Sequence, residues 1–313
     1  MSCTIRDEKR DRVIGGILGV VVGDCLGFPV EGRSRDFLKK NPVTGLERGV
    51  WSDDSSLTLC LADSLISGYD LNDIADKFIK WFKDGYWTPY GVVLDIGYTT
   101  REAIIRLMRG VKPTQAGLSD EYSNGNGSLM RILPLVFYVE RLSLEEQFKL
   151  SEEVSSITHA HPRAKISCGI YVQYALQLLR GEDKRTAYNN MKEIVLSYYS
   201  DREPYRDELF HFNRILKDDI SRFLETDIKS TGYVIHTLEA SLWSFLNTDS
   251  FKEAVLKAVN LGDDSDSTGA VTGGIAGIFY GVEAIPKEWI KKIIRYQDIV
   301  ELVEEFYKAV YKK

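Results

Sequence analysis

Apolar positions recur at helical intervals along almost the whole chain. In "LNDIADKFIKWF", Leu71, Ile74, Ala75, Phe78 and Phe82 share one face, as an amphipathic helix requires. "TREAIIRLMRG" ends on a glycine after a basic last turn, a helix C-terminal signature. "SLEEQFKLSEEVSSITH", "PRAKISCGIYVQYALQLLRG", "IHTLEASLWSFL", "SFKEAVLKAVNLG" and "PKEWIKKIIRYQDIVELVEEFYKAVYKK" read the same way, several opening with Ser or Pro at cap positions. Alternating, strand-like runs are scarce. The pattern predicts an all-α fold of about a dozen helices. No Pro, Gly or Ser tract divides it, so residues 1–313 read as a single domain. The charged and least regular stretch, 181–231, reads as surface helices or a lid.

Two glycine series interrupt this pattern. Gly15, Gly19, Gly23 and Gly27 recur every four residues near one end, and Gly269, Gly273, Gly277 and Gly281 near the other. A glycine inside a helix costs about 1 kcal/mol relative to alanine. A stripe of them lets two helix backbones approach closely. The two segments are therefore expected to cross near the centre of the fold; the competing reading takes the N-terminal glycines as turns.

Composition narrows the class. With 44% hydrophobic and 27% charged residues the chain is ordinary for a globular protein. A net charge of −6 argues against a nucleic-acid partner. The apolar runs Val13 to Gly23 and Ala270 to Val282 look too short for a membrane span, and the charged N-terminus lacks a signal-peptide core. Cys3, Cys25, Cys60 and Cys168 are widely spaced, which suits free thiols in a reducing cytoplasm.

Chemistry concentrates in two acidic clusters. "WSDDSS" places Ser52, Asp53 and Asp54 before an apolar helix, and "GDDSDSTG" places Asp264, Asp266 and Ser267 before another. Each alone reads as helix capping. Together they bring four aspartates to helices that should be buried, where carboxylates repel and raise one another's pKa. Two divalent cations would neutralise that charge. Oxygen donors without paired His or Cys favour hard ions: Mg²⁺, Mn²⁺ or Ca²⁺. An EF-hand fails on register, because the position requiring a bidentate Glu falls on Ile275.

At this point the chain resembles the ADP-ribosylglycohydrolase family, on its bacterial side. The resemblance rests on "GGILGVVVGDCLGFPVEG", "WSDDSS", "DIGYTT", "GNGSLMRILPL", "THAHP", "GYVIHTLEASLW" and "NLGDDSDSTGAVTGGIAG", in the family's order. It implies a compact all-helical fold around two divalent cations, Mg²⁺ or Mn²⁺. Ser52, Asp53, Asp54, Asp264, Asp266 and Ser267 would be the ligands. The family often has Thr at the two serine positions, and glycine where this chain has Asp263.

The resemblance also implies that Asn126, Gly127 and Ser128 cradle the diphosphate of ADP-ribose. His159 would face the ligand and Tyr233 stack on adenine. Glu31 and Asp264 would be catalytic; the plain alternative for Glu31 is a surface charge in a turn. Asp95 would pair with a guanidinium leaving group. The implied reaction is metal-dependent hydrolysis of the bond between ADP-ribose and a modified side chain, foremost arginine, on an ADP-ribosylated protein or small conjugate. Alternatives are serine-linked or O-acetyl-ADP-ribose, or a non-catalytic relative such as a lens structural protein.

Overall fold

A computed structural model describes residues 7–312, so Cys3 lies outside the described residues. Twelve helices of seven or more residues carry the fold: α1 (Glu8–Gly27), α2 (Asp53–Ile66), α3 (Leu71–Asp84), α4 (Tyr98–Met108), α5 (Leu133–Val139), α6 (Leu144–Ser156), α7 (Pro162–Leu179), α8 (Lys184–Tyr199), α9 (Val234–Leu246), α10 (Phe251–Val259), α11 (Ser265–Tyr280) and α12 (Tyr296–Tyr311). Among the described residues, β pairing is limited to isolated bridges, Gly49 with Ile293, Leu118 with His159 and Gly125 with Tyr233. The fold is all-α, as the periodicity implies.

The centre is the antiparallel crossing of α1 and α11. Gly15 faces Gly277, Gly19 faces Gly273 and Gly23 faces Gly269, backbone against backbone. A β-carbon at Gly15 would sit 2.5 Å from the Gly277 carbonyl oxygen, far inside contact distance. No rotamer change relieves a clash with a main-chain carbonyl, so every member of the stripe has to be glycine. Gly27 extends the contact to the backbone of Ser265 and Asp266. Gly281 departs from the expected stripe. It ends α11 at φ +78°, with its N–H donating to the Gly277 carbonyl at 3.0 Å, a left-handed backbone that suits glycine.

The Glu8–Gly27 helix is longer than the apolar run suggested, and it has the length and composition of a membrane span. Most of it is buried in the protein interior, against α11 and its neighbours. The charged 181–231 stretch is woven into the core. Tyr188, Met191, Val195, Tyr199, Phe212, Ile215 and Ile220 are all buried, while most of its charged positions are exposed. Arg214 reaches back to buried Glu239 on α9 at 3.0 Å.

Candidate metal centre and cleft

The α1–α11 crossing decides where the two acidic clusters meet. α11 begins beside the last turn of α1, and the Ser265 hydroxyl donates to the Gly27 carbonyl at 3.0 Å. α2 begins nearby, with Ser52 as its N-cap accepting from the Asp54 N–H at 3.3 Å. Both N-termini therefore turn the positive ends of their dipoles towards one region, which favours negative charge there. Side chains close the circle. The Ser52 hydroxyl donates to Asp54 Oδ2 at 3.1 Å, and the Ser267 hydroxyl lies 3.4 Å from the same oxygen.

Capping accounts for part of this arrangement only. Ser52 caps α2, but Asp264, at the N-cap position of α11, uses its carboxylate on no helix N–H. Asp264 Oδ2 instead accepts from Asn126 Nδ2 at 2.8 Å. Asp266 Oδ1 accepts the Ser267 N–H at 2.9 Å. Asp54 Oδ1 is fully buried with no hydrogen-bond partner. Among the described residues, no Lys, Arg or His forms an ion pair with Asp53, Asp54, Asp264 or Asp266.

Burial first, then neighbouring carboxylates, pushes Asp53, Asp54 and Asp266 well above the usual carboxylate range. A buried anionic oxygen without a donor is costly. Hard cations with oxygen ligands answer both the orphaned Asp54 oxygen and the repulsion, so the donor set fits the expected metal. The carboxylates surround a cleft rather than a closed cage: among the described residues no three His, Cys, Asp or Glu side chains form a ready-made shell.

The cleft has a volume of about 240 Å³. Glu31, Asp53, Asp54, Asp95, Asn126, Gly127, His159, Asp264, Asp266 and Ser267 all line it, so most of the expected site converges. Glu31 stands at the solvent-exposed mouth. Partial burial of its carboxyl, then the negative Asp95, Asp264 and Asp24, push it up to about 7. Its loop is pinned to the start of the second acidic cluster: Gly32 N–H donates to the Asp263 carbonyl at 2.7 Å and Asp263 N–H to the Arg33 carbonyl at 2.8 Å. Asp95 is exposed and left-handed, at φ +58°.

The glycine loop opposite is equally constrained. A β-carbon at Gly127 would lie 2.8 Å from both His159 Cε1 and Thr100 Oγ1. The Asn126 N–H donates to the Gly232 carbonyl at 3.1 Å, and its Nδ2 also donates to Thr237 Oγ1 at 2.8 Å. Buried His159 pairs through Nδ1 with the Thr158 hydroxyl at 2.8 Å. Burial, then the nearby Arg131 charge, pull its pKa down to about 3, so the ring is neutral.

Two expected binding residues sit elsewhere. Ser128 is fully buried, bonded to the Ser155 hydroxyl at 2.9 Å and facing Cys168 at 3.5 Å. Its side chain points into the core because the chain is already turning towards α5. Tyr233 pairs its backbone with Gly125, while its ring packs edge-on against His236, outside the cleft lining. Ser52 lies beneath the cleft and reaches it through Asp54.

Other residues escaped the sequence reading. Thr100 and Met130 line the cleft. Arg131, fully buried, donates to the Gly127 carbonyl from behind the loop and to the Val154 carbonyl at 3.2 Å. Asp24, fully buried on α1, binds the first turn of α2. Its signal was visible: a lone carboxylate inside the apolar run "GVVVGDCLG".

Fold and cleft together define a helical protein whose cleft, among the described residues, is lined by carboxylates and hydroxyls with no thiol and a single imidazole. A model of the ADP-ribosylglycohydrolase family matches residues 5–313, and the chain belongs to that family. It is 34% identical to the ADP-ribosylarginine hydrolase Tri1 of Serratia proteamaculans, covering 96% of this chain and 81% of that protein. It is 29% identical to the ADP-ribosyl-[dinitrogen reductase] glycohydrolase of Rhodospirillum rubrum, covering 91% and 90%. A solved structure titled ADP-ribosylglycohydrolase-related protein complex superimposes with a TM-score of 0.79 at 30% identity, covering 97% of this chain and 99% of that one.

Proposed function

We propose that this protein is a divalent-metal-dependent hydrolase that releases ADP-ribose from ADP-ribosylated side chains, with arginine the preferred linkage. One observation carries the reading: buried, unpaired aspartates from two remote segments face one cleft, with Asp54 Oδ1 lacking any donor. The names of relatives such as the Serratia hydrolase support the arginine preference.

Ser52, Asp53, Asp54, Asp264, Asp266 and Ser267 would hold two cations, Mg²⁺ or Mn²⁺. Bound there, such ions supply charge that orients and polarises sugar oxygens. The chain's own groups do the rest. Glu31 at the mouth keeps a proton until about pH 7 and hands it to the departing side-chain nitrogen. The ionised carboxylate then takes a proton from the incoming water. The cleavage transition state has oxocarbenium character, so the surrounding carboxylates stabilise it. Asp95 pairs with the guanidinium of the leaving arginine. Asn126 and the N–H groups around Gly127 hold the diphosphate, and neutral His159 contributes a hydrogen bond without adding charge. Buried Cys25, Cys60 and Cys168 are free thiols and suit a cytoplasmic setting.

The test is a release assay with arginine-, serine- and acetyl-linked ADP-ribose, with and without chelator and Mn²⁺ or Mg²⁺. Chelator should abolish release and added metal restore it, with the arginine conjugate fastest. Undiminished release in chelator overturns the metal role, and binding of ADP-ribose without turnover reveals a non-catalytic relative. Asp95→Ala should slow arginine-linked release at least tenfold; a wild-type rate removes Asp95 from substrate choice.

A further inference from the structure

Asp24 does not touch the cleft, yet it contacts the machinery behind it. It lies fully buried in the last turns of α1. Both of its oxygens accept the Ser52 N–H at 3.0 Å. Oδ2 also accepts the Ser55 N–H at 3.0 Å and the Ser55 hydroxyl at 2.5 Å. All of these donors belong to the turn that presents Asp53 and Asp54. Three residues along α1, the Gly27 carbonyl accepts the Ser265 hydroxyl at 3.0 Å. The Gly27 backbone there is packed against Ser265 and Asp266. One turn of α1 therefore grips both acidic segments, one through a carboxylate and one through bare backbone.

Ser52 caps only the Asp54 N–H; Asp24 takes the N–H groups of Ser52 and Ser55, so a residue from another helix completes the cap of α2. Burying another anion beside four aspartates costs free energy unless its hydrogen bonds offset it. A carboxylate is also the one small side chain that accepts on both oxygens and donates on neither. Asparagine would turn an NH₂ towards the Ser52 N–H or, flipped, towards the Ser55 donors as well. The geometry points to a spacing role: we propose that Asp24 is a positioning residue that fixes the distance between the two ligand-bearing segments, and through it the affinity for divalent cations. This rests on the metal reading of the cleft.

The test is Mn²⁺ titration of the full chain by electron paramagnetic resonance, for wild type and Asp24→Asn. Circular dichroism melting without metal is run in parallel. Asp24→Asn keeps the size, trades one acceptor oxygen for an NH₂ and removes the charge, so Mn²⁺ affinity should fall at least tenfold, in the roughly 10–100-fold range of groups that orient metal ligands, with helicity unchanged. An affinity within twofold of wild type overturns the proposal, even if the melting temperature falls, since that is what a merely structural contact predicts. If Asp24→Asn does not fold, Ser55→Ala decides. It removes the hydroxyl arm alone and should weaken Mn²⁺ binding about threefold, as losing one hydrogen bond does; an unchanged affinity overturns the proposal. Wild-type protein that binds no Mn²⁺ removes the metal reading and this inference together. Wild-type binding matched by both variants removes this inference alone.

Discussion

The two ends of the α1–α11 crossing solve opposite problems. At the Gly15–Gly277 end, uncharged backbones touch with no side chain between them, and packing alone holds them. At the other end, around Asp24, Gly27 and Asp266, carboxylates that repel one another are kept close. Packing at the first end has no freedom to relax, because main-chain atoms are already in contact. That stiffness is what allows the charged end to hold its geometry without collapse or splaying. Like charges can be concentrated where the scaffold beneath them cannot give way.

Removing a charge at the acidic end should have the largest effect. Asp54→Ala deletes the orphaned oxygen and a shared acceptor of two serines, so release of ADP-ribose should fall by more than about 100-fold. It should leave metal-free stability equal or higher, since a buried charge is gone; denaturant melts and the release assay together check both halves. Glu31→Gln should slow release by roughly 100-fold or more, the typical contribution of a general acid–base group. In the wild type, rate should fall as pH rises through about 7. Nearby cations favour the ionised form, so in the metal-loaded protein this limb lies at or below that value. The residual rate of the variant should lack the limb.

The glycine end should answer in stability instead. Gly273→Ala drives a β-carbon into the Gly19 backbone; overpacking costs about 1–3 kcal/mol, and the upper end is expected because no side chain can yield. Urea unfolding measures it. A last effect is absent near neutral pH and emerges only in acid. His159 is pulled down to about 3 when folded and returns to about 6.5 when unfolded. The unfolded chain thus binds the extra proton between those values. Stability should hold above about pH 6.5 and fall as pH drops towards 3, by at most about 1.4 kcal/mol per pH unit. His159→Gln should flatten that decline.

Much of this was legible in the sequence. Periodicity alone yields the all-α class, because long amphipathic runs leave little ambiguity. The four-residue glycine spacing gives the central crossing, since few other arrangements offset its cost. Gly281 defeated the same logic: spacing cannot distinguish a fourth contact from a helix stop. Aspartates ahead of apolar helices marked the site. What stayed hidden depended on rotamers and tertiary neighbours. The "GNGS" motif locates a loop but does not say that the Ser128 hydroxyl turns towards Cys168. "GYV" does not reveal that the Tyr233 ring meets His236. "GNGSLMRILPL" does not say that Arg131 turns inward, towards Gly127, Val154 and Phe78.

The main-chain bonds that tie Gly32 and Arg33 to Asp263 bear on how a substrate enters. A swinging flap would have to break both links and tug at the beginning of a buried helix. On the proposed mechanism, Glu31 would then reach the departing group by rotation about its own side-chain bonds alone.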